Sequence, residues 1–250
     1  MRILTKEQVE KILNLRKKGK SLTEIYKILE LKKTTVYYHL RKNFGRSYKL
    51  VNIRQDDIEL LSEMLGVFAA DGGAVPQSDY QIVFYIGMNE EKYIKKLTVL
   101  LHKLFSKEPK VYKYKKINKC LIKYKSKDIY LFIRKYLLWE GKKTYSVRLK
   151  TINQNIEFLI GFLRGYFDGD GYSVKDYKKI SIGTSSIKMS QQLFKIMKKL
   201  GFNPAYKKHA DRRSNRKPHY IISLKSQEAK DFIMKIQPNN PNRIRKWAMG

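Results

Sequence analysis

The hydrophobic positions of this chain fall into short helical and strand-like runs with distinct start signals. Near the N-terminus, Val9, Ile12, Leu13 and Leu15 mark one face of a helix that Thr5 can cap and that runs to about residue 18. Lys18-Gly19-Lys20 interrupts it. Ser21-Leu22-Thr23-Glu24 then has the form of a capping box, opening a short helix with Leu22, Ile25, Ile28 and Leu29 inward. After a turn at 30–32, a third helix over about 34–42 places Val36, Tyr37 and Leu40 on one side. Three short helices with a tight turn before the last predict a helix-turn-helix domain over 1–45, the plainer alternative being a helical packing module with a solvated basic face. Residues 46–55 read as a basic linker.

From residue 56 onward the pattern predicts one order of elements twice, over 56–150 and 151–250. In the first half, a long helix ending near 71 is followed by a strand at 81–88 and a helix at 90–105. Strands at 109–116 and 117–125 and a helix at 127–138 complete it. In the second, a helix ending near 170 leads to strands at 172–174 and 179–183, then a helix at 187–200. Strands at 205–209 and 219–225 and a helix at 227–236 follow. The counterpart of the 172–174 strand, near 74–78, is poorly patterned. Each half reads αββαββα, so the expected fold class is α+β: two pseudo-symmetric halves behind a small all-α domain.

The two long helices end in related sequences, Met64-Leu65-Gly66-Val67-Phe68-Ala69-Ala70-Asp71-Gly72 and Leu163-Arg164-Gly165-Tyr166-Phe167-Asp168-Gly169-Asp170-Gly171. Asp71 and Asp170 stand 99 residues apart, as do Gly66 and Gly165, which marks an internal duplication. Small residues recur every four positions behind each acid, Ser62-Gly66-Ala70 and Gly161-Gly165-Gly169. Glycine inside a helix costs about 1 kcal/mol relative to alanine, so three in one helix call for a packing reason. The simplest is that the two helices pack on each other through Gly66 and Gly165. A pseudo-two-fold axis along the pair would bring Asp71 beside Asp170 at two negative helix ends. Such a pair calls for a cation, and a divalent metal held by oxygen ligands answers it.

At these residues the chain resembles the LAGLIDADG homing endonucleases, whose nine-residue motif carries its catalytic acid at the eighth position, where Asp71 and Asp170 both fall. The likeness extends over roughly residues 54–246 and is to the single-chain members with two motifs. Ala69 departs from the usual acid at the sixth position of the first copy, and Arg164 replaces a small residue in the second. The resemblance implies a saddle of two four-stranded antiparallel sheets over a DNA duplex. It also implies hydrolysis of one phosphodiester on each strand, with Mg²⁺ (or Mn²⁺) held by Asp71 and Asp170. A basic residue is expected near each acid, Lys142 or Lys143 in the first half and Arg245 or Lys246 in the second; Lys143 and Lys246 are the preferred pair. Thr184 and Ser185 are the water-holding candidates in the second half, whereas Ile86-Gly87-Met88-Asn89 offers no obvious counterpart in the first.

Charge changes the picture of the surface. Among 250 residues, 54 Lys and Arg oppose 22 Asp and Glu, a net charge of +32, and 18 tyrosines are interleaved with them. That excess points to a polyanion, and double-stranded DNA fits better than a membrane because the charge is spread along the chain. Part of it can be background of a hot habitat or an AT-rich genome. Candidate DNA contacts are Lys33, Thr34, Thr35, Tyr38 and Arg41 on the third helix, and Lys113, Lys115, Lys123 and Lys125 by strand alternation. Lys207, Arg212, Arg213 and Arg216 on the hairpin of the second half complete the set.

The lone Cys120 excludes a disulfide framework and a thiolate zinc site. The first residues lack the apolar run of a signal peptide and no segment approaches 18 apolar residues, so a reducing cytoplasmic setting without membrane is expected. The four histidines show no pairing with Ser or Cys that would suggest a triad. The chain is expected to act as a monomeric pseudo-dimer. A non-catalytic DNA-binding regulator on the same scaffold and an RNA-splicing maturase are the alternatives; the chain's start at Met1 and the absence of a splicing-block Cys or Ser at its ends speak against an intein.

Overall fold

The computed structural model describes residues 4–45, 51–153, 155–174, 178–210 and 218–244. The linker residues 46–50 and the candidates Arg212, Arg213, Arg216 and Lys246 lie outside them. Helices α1 (Lys6–Lys17), α2 (Leu22–Ile28) and α3 (Lys33–Phe44) form the N-terminal unit. Thr5 and Ser21 each close a reciprocal capping box, with Gln8 and Glu24. Ile12, Ile25, Val36, Leu40 and Phe44 make a small core of their own. The unit rests on the first half, where the Lys127 ammonium donates to the Lys42 carbonyl at 2.6 Å.

The first half comprises α4 (Ile58–Asp71), β1 (Gly72–Val75), β2 (Gln81–Gly87), α5 (Glu91–Phe105), β3 (Lys110–Tyr114), β4 (Lys119–Lys125) and α6 (Lys127–Tyr136). Three short elements then lead out of it, β5 (Leu137–Leu138), α7 (Lys143–Ser146) and β6 (Arg148–Leu149). The second half repeats the order with α8 (Ile156–Asp170), β7 (Gly171–Ser173), β8 (Lys179–Thr184), α9 (Ile187–Lys199), β9 (Ala205–His209), β10 (His219–Lys225) and α10 (Ser226–Ile236). Each half has one antiparallel four-stranded sheet, in the orders β1-β2-β4-β3 and β7-β8-β10-β9. The weakly patterned first strand begins at Gly72, earlier than its sequence suggests. Val51 and Ile53, assigned above to the linker, pack against the main core.

One continuous hydrophobic core spans both halves, because α4 and α8 lie against each other through their small-residue stripes. Gly161 meets Glu59 and Ser62, Gly165 meets Glu63 and Val67, and Gly169 meets Ala70 and Asp71. Residue numbers rise together along both helices, so the two run parallel and end at the same place. A Cβ on Gly66 would lie 2.7 Å from the Tyr166 nitrogen, and one on Gly165 would lie 2.9 Å from the Val67 nitrogen, both impossible approaches. Close contact of the two backbones therefore requires glycine at both positions. Among the described residues no helix is long and apolar enough to cross a membrane.

Candidate active site and nucleic-acid interface

Parallel packing of α4 and α8 delivers Asp71 and Asp170 to adjoining helix ends. A Cβ on Gly169, one residue before Asp170, would lie 2.9 Å from Asp71 Oδ2. Asp71 is half-buried, and Asp170, crowded by surrounding protein, keeps an exposed surface toward a ligand approaching from outside. Loss of water, then repulsion from Asp170, pushes Asp71 up to about 7. Loss of water also raises Asp170, opposed by the cations Lys143 and Arg243.

Lys143, chosen above by its place after the last helix of the first half, lies at this site. Its ammonium donates to the carbonyl oxygens of Phe68, Ala69 and Ala70 at 2.9, 2.6 and 3.3 Å, closing the C-terminal turn of α4. Desolvation lowers its pKa to about 8, against the pull of Asp170 and Asp71. At the end of α8 the described cation is Arg243, which the sequence reading did not name; Arg245 and Lys246, its candidates there, lie outside the described residues. The Arg243 Nε donates to the Asp168 carbonyl at 3.2 Å, and its guanidinium lies 3.8 Å from Glu90. Both cations bear on both acids: Lys143 and Arg243 each favour the ionised form of Asp71 and of Asp170.

Beneath the acids lies a polar network that only the tertiary structure reveals. Asp168 accepts from the backbone N–H groups of Asn239 and Asn240 at 3.1 and 2.8 Å, and burial pushes it up to about 7. Arg164, the departure at the second motif's second position, pairs across the helix interface with Glu59 and Glu63. It also donates to the Ile236 carbonyl at 2.7 Å. Burial raises Glu63, which takes a further hydrogen bond from the Asn239 amide at 2.9 Å.

A cavity of about 150 Å³ opens beside Asp170, bordered by Ala70, Thr144, Tyr166, Thr184, Ser185 and His219. Thr184 and Ser185, the water-holding candidates of the second half, both line this cavity. His219 lies over Gly183, where a Cβ would collide with its ring.

Strand register assigns the basic residues to faces. Lys110, Tyr112 and Tyr114 of β3 pair with Lys123, Leu121 and Lys119 of β4, so these six share the face turned away from the helices. Lys125 continues it, and the Lys123 ammonium lies 4.9 Å from the Tyr112 ring centre. Two expectations need correcting. Lys113 pairs with Cys120, whose side chain is in the core, and so points to the helix side, 3.6 Å from Glu91 at the start of α5. Lys115 lies in a 3-10 turn (Lys115–Ile117) between the strands, where alternation does not apply. In the second half Lys207, His209, His219, Ile221 and Tyr172 occupy the open face by register. On α3, Lys33, Thr34, Tyr38 and Arg41 are exposed and Thr35 partly so.

Residues 157–237 match the model of the LAGLIDADG-like domain. The chain is 30% identical over 206 residues to the replication factor C small subunit of Methanocaldococcus jannaschii, an overlap covering 80% of this chain and 10% of that protein. It spans about a tenth of the length of the curated relatives it matches. Its fold is similar to that of I-DmoI in complex with DNA and Ca, with a TM-score of 0.57, 17% identity, and coverage of 76% of this chain and 97% of that one. The N-terminal LAGLIDADG domain of DUF199/WhiA matches with a TM-score of 0.50 and 18% identity over 72% of this chain and 83% of that domain.

Proposed function

We propose, from the match of residues 157–237 to the LAGLIDADG-like domain and the likeness of the fold to LAGLIDADG structures, that the chain is a metal-dependent, site-specific double-strand DNA endonuclease of homing type, acting as a monomeric pseudo-dimer. The observation that carries this reading is the meeting of Asp71 and Asp170 at adjoining helix ends, each within the field of Lys143 and Arg243. A protein that only bound DNA would gain nothing from two carboxylates held against each other where the phosphate backbone must come.

The pair fits a hard divalent cation, Mg²⁺ or Mn²⁺. Both side chains offer oxygen ligands and each raises the cost of ionising the other, a cost that a cation removes. Bound there, the metal would activate water and stabilise charge on the phosphoryl and leaving 3′ oxygens. The rest of the chemistry falls to the protein. Lys143 and Arg243 place positive charge beside the developing negative charge, and Thr184 and Ser185 orient the attacking water at the Asp170 centre. Lys123, Lys125, Lys119 and Lys207 neutralise phosphates along the open sheet faces, with Tyr112, Tyr114 and Tyr172 supplying flat contact surface. The N-terminal three-helix unit acts as a helix-turn-helix, with Lys33, Thr34, Thr35, Tyr38 and Arg41 of α3 in a neighbouring major groove.

The test is incubation of the protein with Mg²⁺ and a library of duplex DNA that includes its own genomic neighbourhood, followed by sequencing of the ends produced. Wild type should cut at one site, and Asp71→Asn and Asp170→Asn should bind that site without cutting. Binding without cleavage by all three in any divalent metal would reassign the chain as a DNA-binding regulator.

A further inference from the structure

The second motif carries an acid, Asp168, where the first has Ala69, and the segment 239–243 is built around it. We infer that Asn240 is a positioning residue for the acid pair, locking this segment between Asp168 and Glu90 so that Arg243 is held at the end of α8.

Asn240 is fully buried and its hydrogen bonds run in three directions. Its backbone N–H donates to Asp168 Oδ1 at 2.8 Å, and its side-chain amide donates to the Asp168 carbonyl at 2.9 Å and to Glu90 Oε2 at 2.6 Å. Its Oδ1 accepts the Asn242 N–H at 3.1 Å. Glu90 belongs to the first half and Asp168 to the second, so one amide ties the two halves together directly under the acids. Three residues on, Arg243 uses the same two anchors, the Asp168 carbonyl and Glu90. Its own carbonyl accepts from Ser173 Oγ at 2.6 Å.

The first half explains why a latch is needed only once. Lys143 is fixed directly by three carbonyl oxygens at the end of α4. Among the described residues the Arg243 guanidinium makes one hydrogen bond and one long ion pair, too little to order so flexible a side chain unless its backbone is already placed. An asparagine with no unused donor supplies that placement, and Asp168 is the acceptor it requires.

This rests on the endonuclease reading, and the experiment separates the two. Single-turnover cleavage is followed on a duplex with a different label on each strand, for wild type, Asn240→Ala, Arg243→Ala, the double variant and Lys143→Ala. Asn240→Ala should slow one strand at least about ten-fold with DNA affinity unchanged, so that nicked duplex accumulates. The double variant should be no slower than Arg243→Ala alone, and Lys143→Ala should slow the opposite strand. Equal slowing of both strands, additive losses or unchanged cleavage in Asn240→Ala would overturn the assignment. Should Asn240→Ala fail to fold, Glu90→Gln keeps the volume and should slow the same strand. Nitrogen relaxation of the Arg243 Nε–H needs no activity: it should report an ordered group in wild type and a mobile one in Asn240→Ala, and equal order in both would refute the latch. A wild-type protein that cuts no DNA would sink the endonuclease reading and leave this last measurement to decide the latch.

Discussion

The Lys143 ammonium lies 2.6 Å from the carbonyl oxygen of Ala69, in the last turn of a helix 74 residues earlier in the chain. That contact joins the exit of the first half to the motif at its entrance, and it places a cation at the end of α4. The site is therefore composite: Lys143 comes from the first half and Arg243 from the second, and both bear on Asp71 and Asp170.

The helix interface should tolerate no side chain at Gly165. A methyl there would run into the Glu63 backbone, which cannot move without parting α4 from α8. Gly165→Ala should cost about 3 kcal/mol or more in urea denaturation, at the upper end of overpacking effects. A loss below about 1 kcal/mol would show that the two helices separate easily.

Stability of the metal-free protein should depend on the state of Asp71. Its pKa is raised from the usual carboxylate value to about 7, so the native state binds more protons than the unfolded chain between about pH 4 and 7. The stabilising contribution of the protonated acid is present at low pH and is lost as pH rises through 7. Lys143, lowered to about 8, acts above that window, where stability rises with pH. In the presence of a chelator, Asp71→Asn should gain on wild type by on the order of 1 kcal/mol between pH 5 and 7.5. Adding Mg²⁺ should shrink the gap. A gap that narrows with rising pH in chelator would contradict the site.

Two lysines ten residues apart should behave oppositely toward DNA. Lys123 lies on the open face and Lys113 on the helix side, engaged with Glu91. Lys123→Ala should lower affinity and reduce the slope of log K against log salt by about 0.9, the share of one phosphate. Lys113→Ala should change neither. Equal effects would mean that DNA does not follow this sheet face.

For the N-terminal unit, the paired substitution Lys33→Ala and Arg41→Ala should weaken specific binding and reduce the salt slope by about 2. Cleavage of saturated complex should keep its rate, because both residues lie on α3, in a unit with its own core. Unchanged affinity would leave this unit as a packing module.

How legible all this was follows from the range of the interactions involved. Capping boxes at Thr5 and Ser21, alternation in β2, β4, β8 and β10, and the four-residue spacing of Gly161, Gly165 and Gly169 are local, so the sequence alone determined the elements, the duplication and the identity of the paired acids. Lys143 was found by position within the repeat. Lys113 was assigned to the wrong face because alternation fixes which residues share a side and leaves open which side meets the helices; pairing with buried Cys120 decides that. Arg243, Asn240 and the Glu59–Arg164–Glu63 cluster left no local signal, since each is satisfied by partners 70 or more residues away. Their roles were decided by tertiary structure alone, for a physical reason: a buried polar group is tolerated only where folding brings a partner within hydrogen-bond distance, and nothing in its own neighbourhood of the chain says which partner that will be.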